Sequence, residues 1–304
     1  MKYVGRNGRF TLILSEDPYP ENPREYMDHF GRMIGFHPRY QLGDEHSYSK
    51  PEDFLRELLF QEYTGDPQYV LDYVKSGKAD GVKLAYSHSR REWELLVNQS
   101  WSSENDYFPE SSYPGGLKGK DIPGWYLEDT LSRLGVKDLE RLALDSDRIV
   151  ILPLYLYDHS GITMNTTGFS CPWDSGQVGW TYATKESILR EFGGNELNTE
   201  KRARAKTLLV GEVDSYDHFL RGDVWQARIF EGGEEIESIG GIEGPVESVI
   251  SDVGGYYFNE KQYEGLTDNL EEVGDGVPIK ELLQPAFAGT SKRESVRSQD
   301  VPAR

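Results

Sequence analysis

The chain reads as an α+β protein: a mixed, largely antiparallel sheet with flanking helices, a long site loop and a disordered C-terminal tail. Three observations predict this. Apolar runs of strand character, at residues 9–15, 149–157 and 177–184, stand apart from segments of helical spacing such as Phe54, Leu55, Leu58 and Leu59. The two kinds alternate irregularly, without the strand–helix–strand units of a parallel sheet. Glu231-Gly232-Gly233-Glu234 between two apolar runs is a hairpin signal. We expect an N-terminal α+β region over residues 1–145 and a C-terminal one over 146–285. One continuous domain would also accommodate both.

Residues 9–15 (RFTLILS) make the first strand. Asn22-Pro23-Arg24-Glu25 opens a short helix that ends near Gly31 or Gly35, with Asn at the N-cap, Pro at N1 and Glu at N3. Residues 35–46 (GFHPRYQLGDEH) read as loop. Ser49-Lys50-Pro51-Glu52 is a capping box for the helix carrying Phe54 to Leu59. Asp66-Pro67 opens another, with Val70, Leu71 and Val74 inward and Gly77 as C-cap. Residues 98–120, rich in Ser, Pro, Gly and Tyr, suggest a long surface loop or lid. Residues 127–134 and 138–144 look helical. The strand 149–157, the site loop and the strand 177–184 follow. A helix from Lys185 stops at Gly193-Gly194, and 199–213 is a helix charged on one face. Residues 223–230 and 235–239 form the hairpin, and 245–253 a short helix. From about Pro285 the apolar periodicity stops, and residues 286–304 are expected to be a disordered tail.

At 304 residues, 37% hydrophobic and 12% aromatic, the chain can bury a sizeable core. Mean hydropathy is −0.63, on the polar side for a globular protein. With 33 Lys and Arg against 52 Asp and Glu, the net charge is −19. Such a charge repels phosphate backbones and argues against direct nucleic-acid binding. It leaves three readings: solubility, a basic partner, or mimicry of a nucleic-acid backbone. One cysteine excludes a disulfide framework and a Cys-rich zinc site, and fits a reducing compartment. Residues 1–14 lack the apolar core and cleavage site of a signal peptide, and no 18-residue apolar stretch occurs. A cytoplasmic protein without a membrane span is expected.

Chemistry concentrates in residues 152–180. Cys171 with His159, oriented by Asp158 or Asp174, has the composition of a thiol nucleophile with its base. Packing of Cys171 as a small hydrophobe and turn capping by His159 is the plainer alternative. His37, Asp44, His46, Asp158 and His159 could hold a metal or a phosphate if two distant loops converged; local hydrogen bonding is again plainer. No GxxxxGK[ST], GxGxxG, GxSxG or HExxH motif occurs, and the Gly-rich stretches 112–119 and 240–244 lack the strand–loop–helix context of a phosphate cradle. Asp28-His29 and Asp217-His218 read as helix-surface pairs, and Tyr256-Tyr257-Phe258 as packing. Trp173 and Trp180 are either core or anchors of a binding surface; the polar loop around Trp173 favours at least partial exposure.

Two blocks, PREYMDHFGRMIGFHPRYQLGDEH (23–46) and LPLYLYDHSGITMNTTGFSCPWDSGQVGW (152–180), resemble a family of uncharacterised proteins carried by phages, prophages and plasmids. A third, VDSYDHFLRGDVWQARIF (213–230), is similar more weakly. Within the blocks His37, His46, Asp158, His159, Cys171, Pro172, Trp173, Asp174 and Ser175 match the family pattern. Tyr26-Met27 stands where the family places Trp-Asp, and Ile34 where it often has Cys. The resemblance implies provenance from a mobile element and an accessory role such as counter-defence, and no mechanism.

The leading expectation is therefore a soluble accessory protein of a virus or mobile element that binds a host or viral macromolecule, with a protein as the expected partner. His37, His46, Asp158, His159, Cys171, Trp173, Asp174 and Ser175 are its candidate binding residues. The alternatives are a hydrolase or nucleotide-modifying enzyme using Cys171, His159, Asp158 and Asp174 or a His/Asp metal site, and an acidic DNA mimic. The sequence identifies no cofactor and no oligomeric state.

Overall fold

The computed structural model describes residues 1–26, 28–98, 106–118 and 122–284 and is α+β, with every strand pairing antiparallel. The chain divides into two compact units, Met1–Asn22 with His218–Arg304, and Pro23–Asp217. The boundary expected between residues 145 and 146 falls inside the second unit. The tail expected at 286–304 lies outside the described residues.

In chain order, β1 (Lys2–Asn7) and β2 (Phe10–Glu16) open the first unit. The second unit begins with α1 (Pro23–Tyr26), β3 (Arg32–Gly35), α2 (Pro51–Tyr63) and α3 (Gln68–Lys75). It continues with β4 (Val82–Ser87), β5 (Glu92–Asn98), β6 (Tyr107–Pro114), α4 (Gly124–Arg133) and α5 (Val136–Leu144). Next come β7 (Ile149–Asp158), β8 (Ile162–Asn165), β9 (Ser175–Thr184) and α6 (Lys185–Phe192). Then α7 (Thr199–Arg221) leads the chain back to the first unit. There follow β10 (Val224–Glu231), β11 (Glu234–Glu243), α8 (Val246–Asp252), a π-helical turn (Val253–Tyr257), a 3-10 turn (Lys261–Tyr263), β12 (Glu271–Val273) and α9 (Ile279–Leu282).

The first unit is a five-stranded sheet in the order β11-β10-β2-β1-β12. Alternation along β2 and β10 sends Phe10, Leu12, Leu14, Ala227 and Ile229 to one core, where Val249, Val253, Phe258 and Tyr263 cover them. The β10–β11 hairpin turns on Gly232 and Gly233, with φ of 59° and 91°, a double left-handed turn that glycine adopts without strain. Phe258 is buried, while Tyr256 and Tyr257 project to solvent. Packing thus accounts for only one of the three rings of Tyr256-Tyr257-Phe258.

The second unit holds a four-stranded sheet, β3-β9-β7-β8, and a three-stranded sheet, β4-β5-β6. The faces expected for α2 and α3 are buried: Phe54, Leu55, Leu58 and Leu59 on one, Val70, Leu71 and Val74 on the other. They join Leu127, Leu131, Leu139, Leu142, Ile149, Ile151 and Trp180 in one core. Gly77 takes φ +75° just past α3, as a C-cap glycine does.

Several expectations need correction. Residues 107–114 of the segment 98–120 are strand rather than loop, forming β6 against β5, and residues 99–105 and 119–121 lie outside the described residues. The segment's Ser, Pro and Tyr content hides the strand because an edge position tolerates Pro109 and Pro114. The helix of α1 stops after four residues, and β3 stands where it was expected to continue. A Cβ on Gly31 would collide with Leu209, and pairing with β9 keeps residues 32–35 extended. Ser49 caps nothing on α2: Lys50 is the N-cap residue and no side-chain bond forms there. Finally, α7 runs on to Arg221, burying Ala205, Leu209, Val213 and Tyr216 along one stripe. Among the described residues, no helix is long and apolar enough to cross a membrane.

Candidate functional site

The strands β7 and β9 pair from Ile149 with Thr184 to Tyr157 with Ser175, which brings Asp158 beside Asp174. The Asp158 amide donates to the Asp174 carbonyl oxygen at 2.8 Å, which closes the neck of the loop between them. At the β7–β8 turn the chain reverses over His159, Ser160 and Gly161, with Ser160 at φ 61°, a conformation a non-glycine residue holds only at some cost. Asn165 Oδ1 then accepts from the Thr167 and Gly168 amides at 3.0 and 2.7 Å, turning the chain back towards Cys171.

The loop after β3 meets these strand ends. Arg39 pairs with the Asp158 carboxylate, and the Tyr40 hydroxyl donates to Asp158 Oδ1 at 3.4 Å. His37 stacks on Tyr40 with ring centroids 4.8 Å apart, and its Nδ1 accepts from the Arg39 amide at 3.3 Å. His37, Arg39, Leu156, Asp158, Trp173 and Asp174 contribute to a pocket of about 340 Å³. The first and second sequence blocks therefore converge on one open pocket. Nothing in the sequence marked Arg39 and Tyr40 beyond their place beside His37, because their partner Asp158 lies more than a hundred residues further on.

Within the pocket Asp174 is central. The Cys171 thiol approaches its Oδ2 at 3.6 Å, and His159 Nδ1 lies 3.5 Å from the same oxygen. The Ser175 hydroxyl donates to the Cys171 carbonyl at 2.5 Å and holds the loop shut. The carboxylate thus stands between thiol and imidazole, whereas a nucleophile–base pair needs the imidazole against the thiol and the carboxylate behind it. Trp173 is 91% exposed, as the polarity of its loop suggested. Trp180 belongs to the core, and its indole N–H donates to Glu140 at 2.8 Å.

His46 stands apart from this group. Its Nε2 donates to the Gly35 carbonyl at 2.8 Å, and its ring lies against Phe36 and Tyr48. Among the described residues, its buried Nδ1 atom has no hydrogen-bond partner. His46 lines a second, larger hollow of about 710 Å³ formed by residues 35–49, which shares His37 and Arg39 with the first pocket. Asp44 is committed elsewhere, bonded to Arg24 and to the Met33 amide. Burial pushes its carboxyl up, but the Arg24 hydrogen bond, the Met33 amide and the charges of Arg24 and Arg32 outweigh this and hold it below the usual carboxylate range. Among the described residues, no three His, Cys, Asp or Glu side chains are grouped to hold a metal ion. The set His37, Asp44, His46, Asp158 and His159 is not one cluster.

The third block reaches the same unit. Asp217 accepts from the Thr163 hydroxyl at 2.7 Å and the Met164 amide at 2.6 Å, so it anchors β8 and is no surface pair with His218. The Tyr216 hydroxyl accepts from the Gly43 amide at 3.0 Å, tying α7 to the loop that carries His37 and His46. Asp28-His29 is not on a helix: His29 Nε2 donates to the Pro23 carbonyl at 2.8 Å. In the two Gly-rich stretches, residues 112–114 and 240–243 are strand. Compared with protein-family models, with curated proteins and with solved structures, the chain matches none.

Proposed function

We propose that the protein is an accessory protein of a virus or mobile element that acts by binding a protein partner, with the pocket rim around Trp173 as its contact surface. One observation carries the reading: a tryptophan left 91% exposed at the mouth of a pocket built by both sequence blocks. A large indole in water is unfavourable unless something covers it. Covering it would contribute on the order of 4–5 kcal/mol before the costs of ordering. Tryptophan and arginine are also the side chains that most often dominate protein contacts, and Arg39 lines the same pocket. The resemblance of residues 23–46 and 152–180 to proteins of mobile elements supports the accessory role. The Cys171, His159, Asp174 order counts against a thiol enzyme.

Affinity capture from host lysate with the wild type and Trp173→Ala tests this. We expect the captured partner to be lost from the variant while its unfolding midpoint is unchanged. Full retention by a folded Trp173→Ala would overturn the reading.

Mimicry of a nucleic-acid backbone is a second reading, favoured by one feature. Residues 231–281 hold 14 Asp and Glu against only Lys261 and Lys280. It requires competition with DNA for a DNA-binding protein that weakens as salt rises. Salt-insensitive competition would exclude it.

A further inference from the structure

The pocket at Trp173 contains two carboxylates in different electrostatic states. Asp158 is compensated by the Arg39 guanidinium and by the Tyr40 hydroxyl. Among the described residues no Lys or Arg pairs with Asp174, whose neighbours are a thiol and an imidazole. A thiol is a weak donor, and an imidazole carries charge only when protonated. The Asp174 side chain is 38% exposed, so it is within reach of a ligand in the pocket. Directly before it in the chain stands Trp173, whose indole offers a π-face to solvent. An uncompensated carboxylate beside an exposed indole is a recognition pair for an organic cation, since the carboxylate supplies the ion pair and the ring the cation–π contact.

We propose that this pocket receives an arginine side chain of the protein partner, its guanidinium paired with Asp174 and lying against Trp173. This rests on the reading of the Trp173 rim as the contact surface and names the group that surface takes. Three features favour guanidinium. Its planar fork matches a carboxylate edge, and its flat face stacks on an aromatic ring. It sheds water more readily than an ammonium does. The open volume of about 340 Å³ accepts the head group and its aliphatic stem, and Leu156 and Val178 provide apolar lining for that stem. The charge of Arg39, which also lines the pocket, is met by Asp158.

The test is a titration of the full-length protein with N-acetyl-arginine amide, following the Trp173 indole N–H signal by NMR after assignment with Trp173→Phe. N-acetyl-citrulline amide, which keeps the shape and loses the charge, is the control probe. We expect saturable movement of the Trp173 signal with arginine, at least tenfold weaker binding to Asp174→Asn, and no saturation with citrulline. Asp275→Asn, at an exposed position in the first unit, controls for diffuse attraction to the acidic surface and is expected to bind arginine as the wild type does. Equal arginine binding by Asp174→Asn, or equal binding of citrulline, would overturn the proposal. If Asp174→Asn keeps the captured partner that Trp173→Ala loses, the contact surface stands and the arginine assignment falls.

Discussion

Arg24 and Asp44 pair at 2.7 Å with the Arg24 side chain only 1% exposed. The same guanidinium donates to the Gly31 carbonyl at 3.0 Å and reaches Glu212 of α7 at 3.4 Å. Glu212 in turn accepts from the Phe30 amide at 2.5 Å. One buried cation therefore locks α1, the approach to β3 and the loop before α2 onto α7. Removing it leaves Asp44 without its closest partner and takes a contact from Glu212. We predict that Arg24→Ala loses about 3–5 kcal/mol of stability, measured by urea unfolding. A loss under 1 kcal/mol would show that the pair is incidental.

Asp44 makes this lock sensitive to acid. Its folded carboxyl titrates below its unfolded value, so its contribution is present above pH about 4 and is lost as pH falls further. Urea midpoints measured between pH 5 and pH 3 are expected to drop for the wild type. Asp44→Asn, weaker at pH 5, is expected to show a shallower drop.

The alkaline side behaves in the opposite sense. Tyr69 and Tyr73 are each pushed up to about 12, first by burial and then by carboxylates, Asp145 for Tyr69 and the bonded Asp138 for Tyr73. Tyr63 and Tyr113, which donate to Asp147 and Asp129, are driven higher still by the same causes. A phenol that keeps its proton longer in the folded state stabilises below pH about 10, and that stability is lost as pH climbs through the folded value. Phenolate absorbance is expected to rise in two stages, the second coinciding with loss of the far-UV signal. A single smooth titration of all 19 tyrosines would contradict the buried networks.

Gly179 sits where β9 passes β3, and a Cβ there would strike the Ile34 carbonyl. Gly179→Ala is predicted to cost about 1–3 kcal/mol by forcing the two strands apart. It should also weaken partner capture, because β3 leads directly into the loop that presents His37 and Arg39. Unchanged stability would mean that the strands part freely.

Cys171 donates to the Asp174 carboxylate. Cys171→Ser is expected to retain partner capture and to shift stability by less than about 0.5 kcal/mol. Loss of the partner in this variant would return attention to thiol chemistry.

Where apolar periodicity was strong, the sequence and the fold agree. The strands β7 and β9 and the inward faces of α2 and α3 were legible because burial on one side writes a period of two or 3.6 into the chain. The three-stranded sheet was not. Ser111, Ser112, Pro109 and Pro114 mask β6, whose partners are backbone groups that leave no side-chain signature. The candidate site was legible in its residue types and illegible in its pairings. Asp158, Trp173 and Asp174 stood out, but whether His37 or His46 would join them depended on a loop path, and a bond inside that loop, to Gly35, drew His46 away. Arg39 went unnoticed because an arginine in a polar loop looks the same whether or not a distant carboxylate awaits it.

The five-stranded sheet joins β1 and β2, made before the second unit, to β10, β11 and β12, made after it. During synthesis the first hairpin has no sheet to enter until more than two hundred further residues have emerged. Residues 23–217 can collapse in that interval, each of their sheets being complete within the stretch. Assembly is then ordered in time: the pocket-bearing unit can mature first, and the five-stranded sheet closes only after β10 has emerged. A ribosome stalled before β10 would display a finished Trp173 surface and an unpaired hairpin, so truncation between α7 and β10 would spare recognition while leaving an open strand edge for quality control to find.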